Sequence, residues 1–134
     1  ARRDIAITTI CANNSIYGMT GGQAGATTPK DAKTATTPQG NPDRSFDLCN
    51  LVKGAGATYV ARGTVYHIRD LIKYIKKALT HQGFSFLDVI SPCYTQFGRR
   101  NQNTCGAGPA QMVTRLKETT SKTTQEGKIL IGEF

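Results

Sequence analysis

Apolar positions along this chain fall into short runs that switch between two periodicities. Ile5 to Ala12 is β-rich and almost uncharged, and it stops at Asn13-Asn14. A run of this kind predicts a strand buried on both faces of a parallel sheet. From Ser15 to Ser45 periodicity disappears, and Gly, Thr, Pro, Gln and Lys take over, punctuated by Thr27-Thr28-Pro29 and Thr36-Thr37-Pro38. A loop this long within a compact domain points to function. Phe46, Cys49, Leu51 and Val52 then mark a short helix closed by Gly54 or Gly56.

Thr58 to Ala61 reads as a second strand. Ile68, Leu71, Ile72, Ile75, Ala78 and Leu79 recur at three- and four-residue spacing and make one apolar helical stripe, which Gly83 is placed to end. Phe84 to Ile90 is a third strand, stopped by Ser91-Pro92-Cys93 because proline has no ladder donor. Arg99 to Gly108 is loop-like; Pro109 to Thr119 suits a short helix with Pro at its first position; Lys128 to Gly132 is a final strand. Strands alternating with helices predict an α/β fold, a Rossmann-like, mainly parallel sheet with helices on both faces. The 134 residues suit one domain.

Composition narrows the classes. Lys and Arg number 17 against 9 Asp and Glu, a formal charge of +8. That balance suits a nucleic-acid or membrane partner, an anionic ligand or an acidic partner protein. The alternative reading, a small basic nucleic-acid-binding module, rests on this charge and on Arg99-Arg100. Against it, the Tyr and Phe residues sit mostly inside apolar runs instead of between basic residues as stacking platforms require. No run approaches the roughly 18–20 apolar residues of a membrane helix. Residue 1 is Ala, and a strand-like run follows almost at once, so the chain reads as cut from something longer and cytoplasmic.

Cys11, Cys49, Cys93 and Cys105 include no Cys-x-x-Cys pair, so local spacing declares no zinc site. Cys11 and Cys49 read as core residues. His67 and His81 flank the long helix and read as capping or surface residues. Asp4, Asp47 and Asp88 are isolated along the sequence and declare no acid–base pair.

The informative stretch is Asn13 to Gln23, at the carboxyl end of the first strand, where open α/β sheets bind ligands. Asn14 offers an amide oxygen and Ile16 a backbone carbonyl to a hard cation such as magnesium. Gly18, Gly21 and Gly22 let the backbone approach a phosphate and present its N–H groups, and Thr20 adds a hydroxyl. Metal-bearing oxygens beside a glycine-rich anion nest suit a diphosphate cofactor.

This stretch resembles the second half of the thiamine diphosphate motif of the 2-oxoacid:ferredoxin oxidoreductases. The likeness continues in order through Thr27-Thr28-Pro29, Gly40-Asn41, Phe46-Asp47-Leu48-Cys49, Gly56 to Arg62, Gly83 to Phe86, Ser91-Pro92-Cys93, Thr95 and Phe97 to Asn101. Tyr17-Gly18-Met19-Thr20-Gly21-Gly22-Gln23 is most similar to the 2-oxoglutarate and branched-chain members. The chain departs at Ala24-Gly25-Ala26, and it lacks the family's Gly-Asp-Gly-Asp and its amino-terminal cysteines.

The resemblance implies the carboxy-terminal part of the thiamine-diphosphate-binding (beta) subunit, a single truncated domain over 1–134 that is inactive alone. It implies Asn14 and the Ile16 carbonyl as magnesium ligands. Tyr17, Gly18, Met19, Thr20 and Gly21 would line the cofactor, with Met19 and Gly21 toward the substrate. Cys93 would be one thiolate of a [4Fe–4S] cluster, its other ligands lying outside this chain; Cys105 has no counterpart. The implied partners are an alpha subunit, ferredoxin, a 2-oxoacid and coenzyme A, with neither nucleic acid nor membrane. Without those contacts the Ser15–Ser45 loop is expected to be mobile or displaced.

Overall fold

The structure, a computed structural model, describes residues 1–101 and 109–134. Cys105 lies outside the described residues. The chain forms two compact units, one of Ala1–Ala12, Asp47–Ile90 and Leu116–Phe134, the other of Asn13–Phe46 and Ser91–Arg115.

The elements are β1 (Thr8–Asn13), α1 (Leu48–Gly54), β2 (Tyr59–Thr64), α2 (Ile68–Thr80), β3 (Ser85–Ile90), α3 (Pro109–Thr119), β4 (Thr120–Ser121), β5 (Ile129–Leu130) and β6 (Gly132–Glu133). One sheet has the order β1-β3-β2-β6. β2 and β3 pair in parallel, from Tyr59 opposite Ser85 to Thr64 opposite Ile90. β1 advances alongside β3, since the Ser85 N–H meets the Ile7 carbonyl and the Ser91 N–H meets the Asn13 carbonyl. The α/β architecture expected from the alternating runs is present.

Three strands differ from the sequence reading, of which β2 runs on past Ala61 to Thr64. The first begins at Thr8, not Ile5. Asp4 takes φ 46, and its carboxylate accepts from Phe84 N at 2.8 Å and Thr58 Oγ1 at 2.7 Å. The Ile7 N–H then closes a tight turn onto the Ile5 carbonyl at 2.7 Å. The final strand is split. Ile131 N donates to the Ser121 carbonyl at 2.8 Å, β5 pairs in parallel with β4, and β6 pairs antiparallel with β2. Gly132, at φ 138, supplies the backbone bend that lets one short segment serve both partners.

Alternate residues of the central strands separate the two helical layers of the first unit. On one face Val60 and Phe86 pack on Cys49 of α1, with Cys11, Leu48, Val52, Ala57, Phe84 and Phe134 around them. On the other, Gly63 leaves room for α2, because a Cβ there would stand 3.0 Å from Leu71 Cδ1. Ser85 Oγ and Thr8 Oγ1 both donate to the Ala78 carbonyl of α2, at 3.1 and 3.0 Å. Each large aliphatic or aromatic side chain so buried contributes about 1.5–3 kcal/mol. Among the described residues no helix is long and apolar enough to cross a membrane.

Two aspartates that look isolated in sequence converge on one arginine. Arg62, buried on β2, donates from Nε to Asp88 Oδ2 at 2.8 Å and from Nη2 to Asp47 Oδ1 at 2.5 Å. Its Nη1 donates to the Leu130 carbonyl at 3.3 Å, and the guanidinium stacks 5.2 Å from the Phe134 ring centre. Asp47 also caps α1 by accepting from Asn50 N at 3.3 Å. This cluster holds the start of α1 and the end of the chain to the sheet. His67 and His81 flank α2, as expected, hydrogen-bonding Thr64 Oγ1 and Thr58 Oγ1 at 2.8 Å each.

Candidate functional site

All the residues singled out for cofactor chemistry fall in the second unit. Asn13 and Asn14 organise the exit from β1 through side-chain turns. Asn13 Oδ1 accepts from Ser15 N at 3.1 Å and Thr27 Oγ1 at 2.8 Å, and Asn14 Oδ1 accepts from Ile16 N at 3.1 Å. Ser15 sits between them at φ 63. Tyr17 to Gln23 then closes a small loop: Tyr17 N donates to the Gln23 carbonyl at 3.0 Å and Gly22 N to the Tyr17 carbonyl at 2.9 Å. Gly21 at φ 113 and Gly22 at φ 91 allow that reversal, which an L side chain rarely adopts.

The remainder of the loop has a hydrogen-bonded framework of its own. Thr28, fully buried, donates to the Ser15 carbonyl at 2.7 Å and accepts from Gly25 N at 2.9 Å. The Asn41 amide donates to the carbonyls of Thr28 and Asp43 at 3.0 and 3.2 Å, while its backbone pairs with Asp31 and Ala32. Thr34, also buried, bonds Thr37 Oγ1 at 2.8 Å. Polar composition hides this order, because the loop is packed by side chains that satisfy its own backbone.

Segment 91–101 lies against this loop. Lys33 N donates to Asn101 Oδ1 at 2.8 Å and Asn101 Nδ2 returns to the Lys33 carbonyl at 2.9 Å. Arg100 donates to the Gly21 carbonyl at 3.3 Å and to Gln96 Oε1 at 2.5 Å. A Cβ on Gly22 would collide with that guanidinium at 2.7 Å. The sequence reading used Arg100 only as part of the basic Arg99-Arg100 pair and of the family likeness; only the tertiary contact brings it to the glycine loop.

Cys93 precedes a π-helical turn over Tyr94–Gly98, in which Gly98 N donates to the Cys93 carbonyl at 2.9 Å. Burial pushes the thiol's pKa up. The N–H groups of Phe97, Gln96 and Thr95 and the Thr95 hydroxyl outweigh it and hold the thiol below its ordinary value. By contrast burial pushes Cys49 up to about 12 and raises Cys11. Gly18 joins the thiol to the asparagine: a Cβ there would stand 3.2 Å from Cys93 Sγ and 3.6 Å from Asn14 Nδ2.

This arrangement fits part of a diphosphate–metal site. Asn14 Oδ1 and the Ile16 carbonyl each accept one hydrogen bond, from Ile16 N at 3.1 Å and Gly18 N at 3.0 Å, which leaves a lone pair on each for a cation. The N–H groups of Met19 and Thr20 meet no backbone carbonyl among the described residues, as a phosphate nest requires. Met19 and Tyr17 are exposed. No group of three or more His, Cys, Asp or Glu able to hold a metal exists among the described residues. The described residues therefore bring together two oxygen acceptors with no carboxylate beside them and one thiol held below its ordinary pKa.

The family described as "Thiamine pyrophosphate enzyme, C-terminal TPP binding domain" matches residues 1–89. The chain belongs to this family. That span holds Asn14 to Gly21 of the thiamine pyrophosphate domain; Cys93 and the π-helical turn follow it.

Curated relatives extend the likeness over the rest. The 2-oxoglutarate synthase subunit KorB of Methanocaldococcus jannaschii is 44% identical over 99% of this chain and 52% of its own length. Its counterpart in Methanothermobacter thermautotrophicus is 46% identical over all of this chain and 49% of its own. The beta subunit of a 2-oxoacid:ferredoxin oxidoreductase from Saccharolobus solfataricus is 39% identical over 70% of this chain. The thiamine pyrophosphate domain described here thus spans about half the length of the 2-oxoglutarate synthase subunits. Among solved structures, the 2-oxoglutarate:ferredoxin oxidoreductase of Magnetococcus marinus, with 2-oxoglutarate, coenzyme A and succinyl-CoA bound, superposes at TM-score 0.81. At 24% identity, over 99% of this chain and 48% of that one, it shows the shared fold.

Proposed function

We propose that this chain forms the carboxy-terminal part of the thiamine-diphosphate-binding subunit of a 2-oxoacid:ferredoxin oxidoreductase, with 2-oxoglutarate the favoured substrate. The observation that carries the reading is the meeting of Asn14, Gly18 and Cys93 at one point of the second unit, within a chain 44–46% identical to two 2-oxoglutarate synthase subunits. When bound, thiamine diphosphate supplies the electron sink for decarboxylating a 2-oxoacid, and a [4Fe–4S] cluster supplies the one-electron path to ferredoxin.

The chain's own residues bind and orient. Asn14 Oδ1 and the Ile16 carbonyl would hold magnesium, a hard cation suited to oxygen donors. The Met19 and Thr20 N–H groups, which meet no backbone carbonyl among the described residues, would take the diphosphate. Tyr17 and Met19 present apolar surface beside the loop. Cys93, with its thiolate favoured by the N–H groups of the π-helical turn, would donate one sulfur to the cluster. The remaining carboxylate and thiolates would come from outside this chain, and coenzyme A, ferredoxin and an alpha subunit complete the proposed partners in the cytoplasm.

The test uses the assembled oxidoreductase containing this chain. Asn14→Ala is expected to reduce retained thiamine diphosphate at least about tenfold, a loss of roughly 1.4 kcal/mol. Cys93→Ala is expected to lower iron content and the cluster's visible absorption, while Cys49→Ala leaves both intact when folded. Full iron in Cys93→Ala, or unchanged cofactor retention in Asn14→Ala, would overturn the assignment.

A further inference from the structure

The Tyr17–Gln23 loop is tied partly to itself. Tyr17 N donates to the Gln23 carbonyl and Gly22 N to the Tyr17 carbonyl. Thr20 Oγ1 donates to Gln23 Oε1 at 2.6 Å, and Gln23 Nε2 returns to the Thr20 carbonyl at 2.7 Å. Two carbonyls of the reversal are held from outside the loop. That of Gly22 accepts from Ala35 N at 2.7 Å. That of Gly21 accepts from Arg100 Nη2 at 3.3 Å, a donor 79 residues further along the chain. Nη1 of the same guanidinium donates to the Gln96 carbonyl at 3.1 Å and to Gln96 Oε1 at 2.5 Å. One side chain therefore bridges the glycine loop and the π-helical turn that follows Cys93.

The bridge is seated at both ends. A Cβ on Gly22 would stand 2.7 Å from Arg100 Nη1, 3.0 Å from Gln96 Oε1 and 3.1 Å from Gln96 Cβ, so the space beside this glycine is filled by the guanidinium and its partner. Asn101, the next residue, is buried and exchanges hydrogen bonds with the Lys33 backbone while its Nδ2 also reaches the Phe97 carbonyl. The backbone from which Arg100 extends is thus fixed to the same unit as the loop. A planar guanidinium sends N–H groups to acceptors in two directions, which the single point of an ammonium does not.

We propose that Arg100 is a positioning residue for the thiamine diphosphate loop: by bridging the Gly21 carbonyl and Gln96 it holds the reversal closed before the cofactor arrives. Glycine backbone has the most conformational freedom to lose, and Gly21 and Gly22 are adjacent at φ 113 and 91. A brace from outside the loop lowers the ordering cost that cofactor binding otherwise has to offset. Arg100 takes no part in the chemistry, and its effect falls on cofactor affinity. The identity of the ligand rests on the proposed function; the brace itself rests on the contacts of Arg100.

The test uses the assembled oxidoreductase freed of cofactor, with thiamine diphosphate titrated in the presence of magnesium by calorimetry. Arg100→Ala is expected to raise the dissociation constant about tenfold, the low end for a hydrogen bond from a charged group. Turnover at saturating cofactor is expected to stay within about twofold of the parent, the split of a residue that acts on binding alone. Arg100→Lys, which keeps the charge but reaches one acceptor at a time, is expected to fall between Arg100→Ala and the parent. Arg99→Ala removes a neighbouring exposed charge and is expected to bind as the parent does. An unchanged constant in Arg100→Ala would overturn the proposal, and so would an equal loss in Arg99→Ala, which would make the effect one of net charge. A drop in iron content or melting temperature alongside the loss of affinity would also overturn it, since Arg100 would then serve folding. Asn14→Ala is titrated beside them: if it binds as the parent does, the magnesium assignment falls while the Arg100 result still decides the brace.

Discussion

The sulfur of Cys93 lies so close to the backbone of Gly18 that a Cβ built there would stand 3.2 Å from it. Gly18→Ala is therefore expected to displace the thiol or the neighbouring Asn14 amide and to destabilise the chain by about 1–3 kcal/mol, the usual cost of overpacking. Denaturant unfolding of the parent and variant measures this. A variant as stable as the parent would show that the contact is slack.

The described cysteines differ in environment, and alkylation should rank them. Cys93 is partly exposed with its thiolate favoured, whereas Cys49 is fully buried with its pKa pushed up to about 12. Iodoacetamide at neutral pH is expected to label Cys93 at least about tenfold faster than Cys49. Peptide mapping over time checks the order, and early labelling of Cys49 would mean that the α1 face opens.

Arg62 and Asp88 are buried partners in register across β2 and β3. Asp88→Ala leaves the half-exposed Asp47 carboxylate as the remaining ion-pair partner of the guanidinium and is expected to cost about 3–5 kcal/mol. Replacing both, Arg62→Met with Asp88→Leu, is expected to recover part of that loss. Equal losses in the single and double variants would show that the ion pair is not what holds these positions.

Asp47 gives the fold a sensitivity to acid. Burial pushes its pKa up, but hydrogen bonds from Arg62 and Asn50 and the guanidinium charge together hold it below its ordinary value. A carboxylate lowered on folding stabilises above its unfolded pKa of about 3.9, and that contribution is lost as pH falls through the lower folded value. Asp47→Asn is expected to weaken the fold near neutrality and to flatten the loss of stability below about pH 4. Melting temperatures from pH 7 to pH 2 test the sign.

Asn41 ties the polar loop together through the Thr28, Pro29 and Asp43 carbonyls. Asn41→Ala leaves buried acceptors unmatched and is expected to cost about 1–3 kcal/mol. Cleavage by a protease specific for Lys and Arg should accelerate at Lys33 and Arg44, inside the loosened loop, before it accelerates at Lys73 on α2.

The strand, helix and loop pattern was legible in the chain because burial imposes period two or period 3.6 on apolar residues wherever an element packs. The Ile68–Thr80 helix and the Ser85–Ile90 strand follow their runs closely. The glycine-rich stretch was legible too, since a tight reversal needs residues free of a Cβ. Local pattern carried no sign of Asp4 holding Phe84, of Asp47 and Asp88 closing on Arg62, of Arg100 reaching Gly21, or of the bonds that order residues 15–45. In each case the partners are side chains distant in sequence or enclosed in an aperiodic loop. Hydrophobic periodicity reports which face of an element is buried, but directional hydrogen bonds between separated residues form only once the fold has brought their donors and acceptors within about 3 Å.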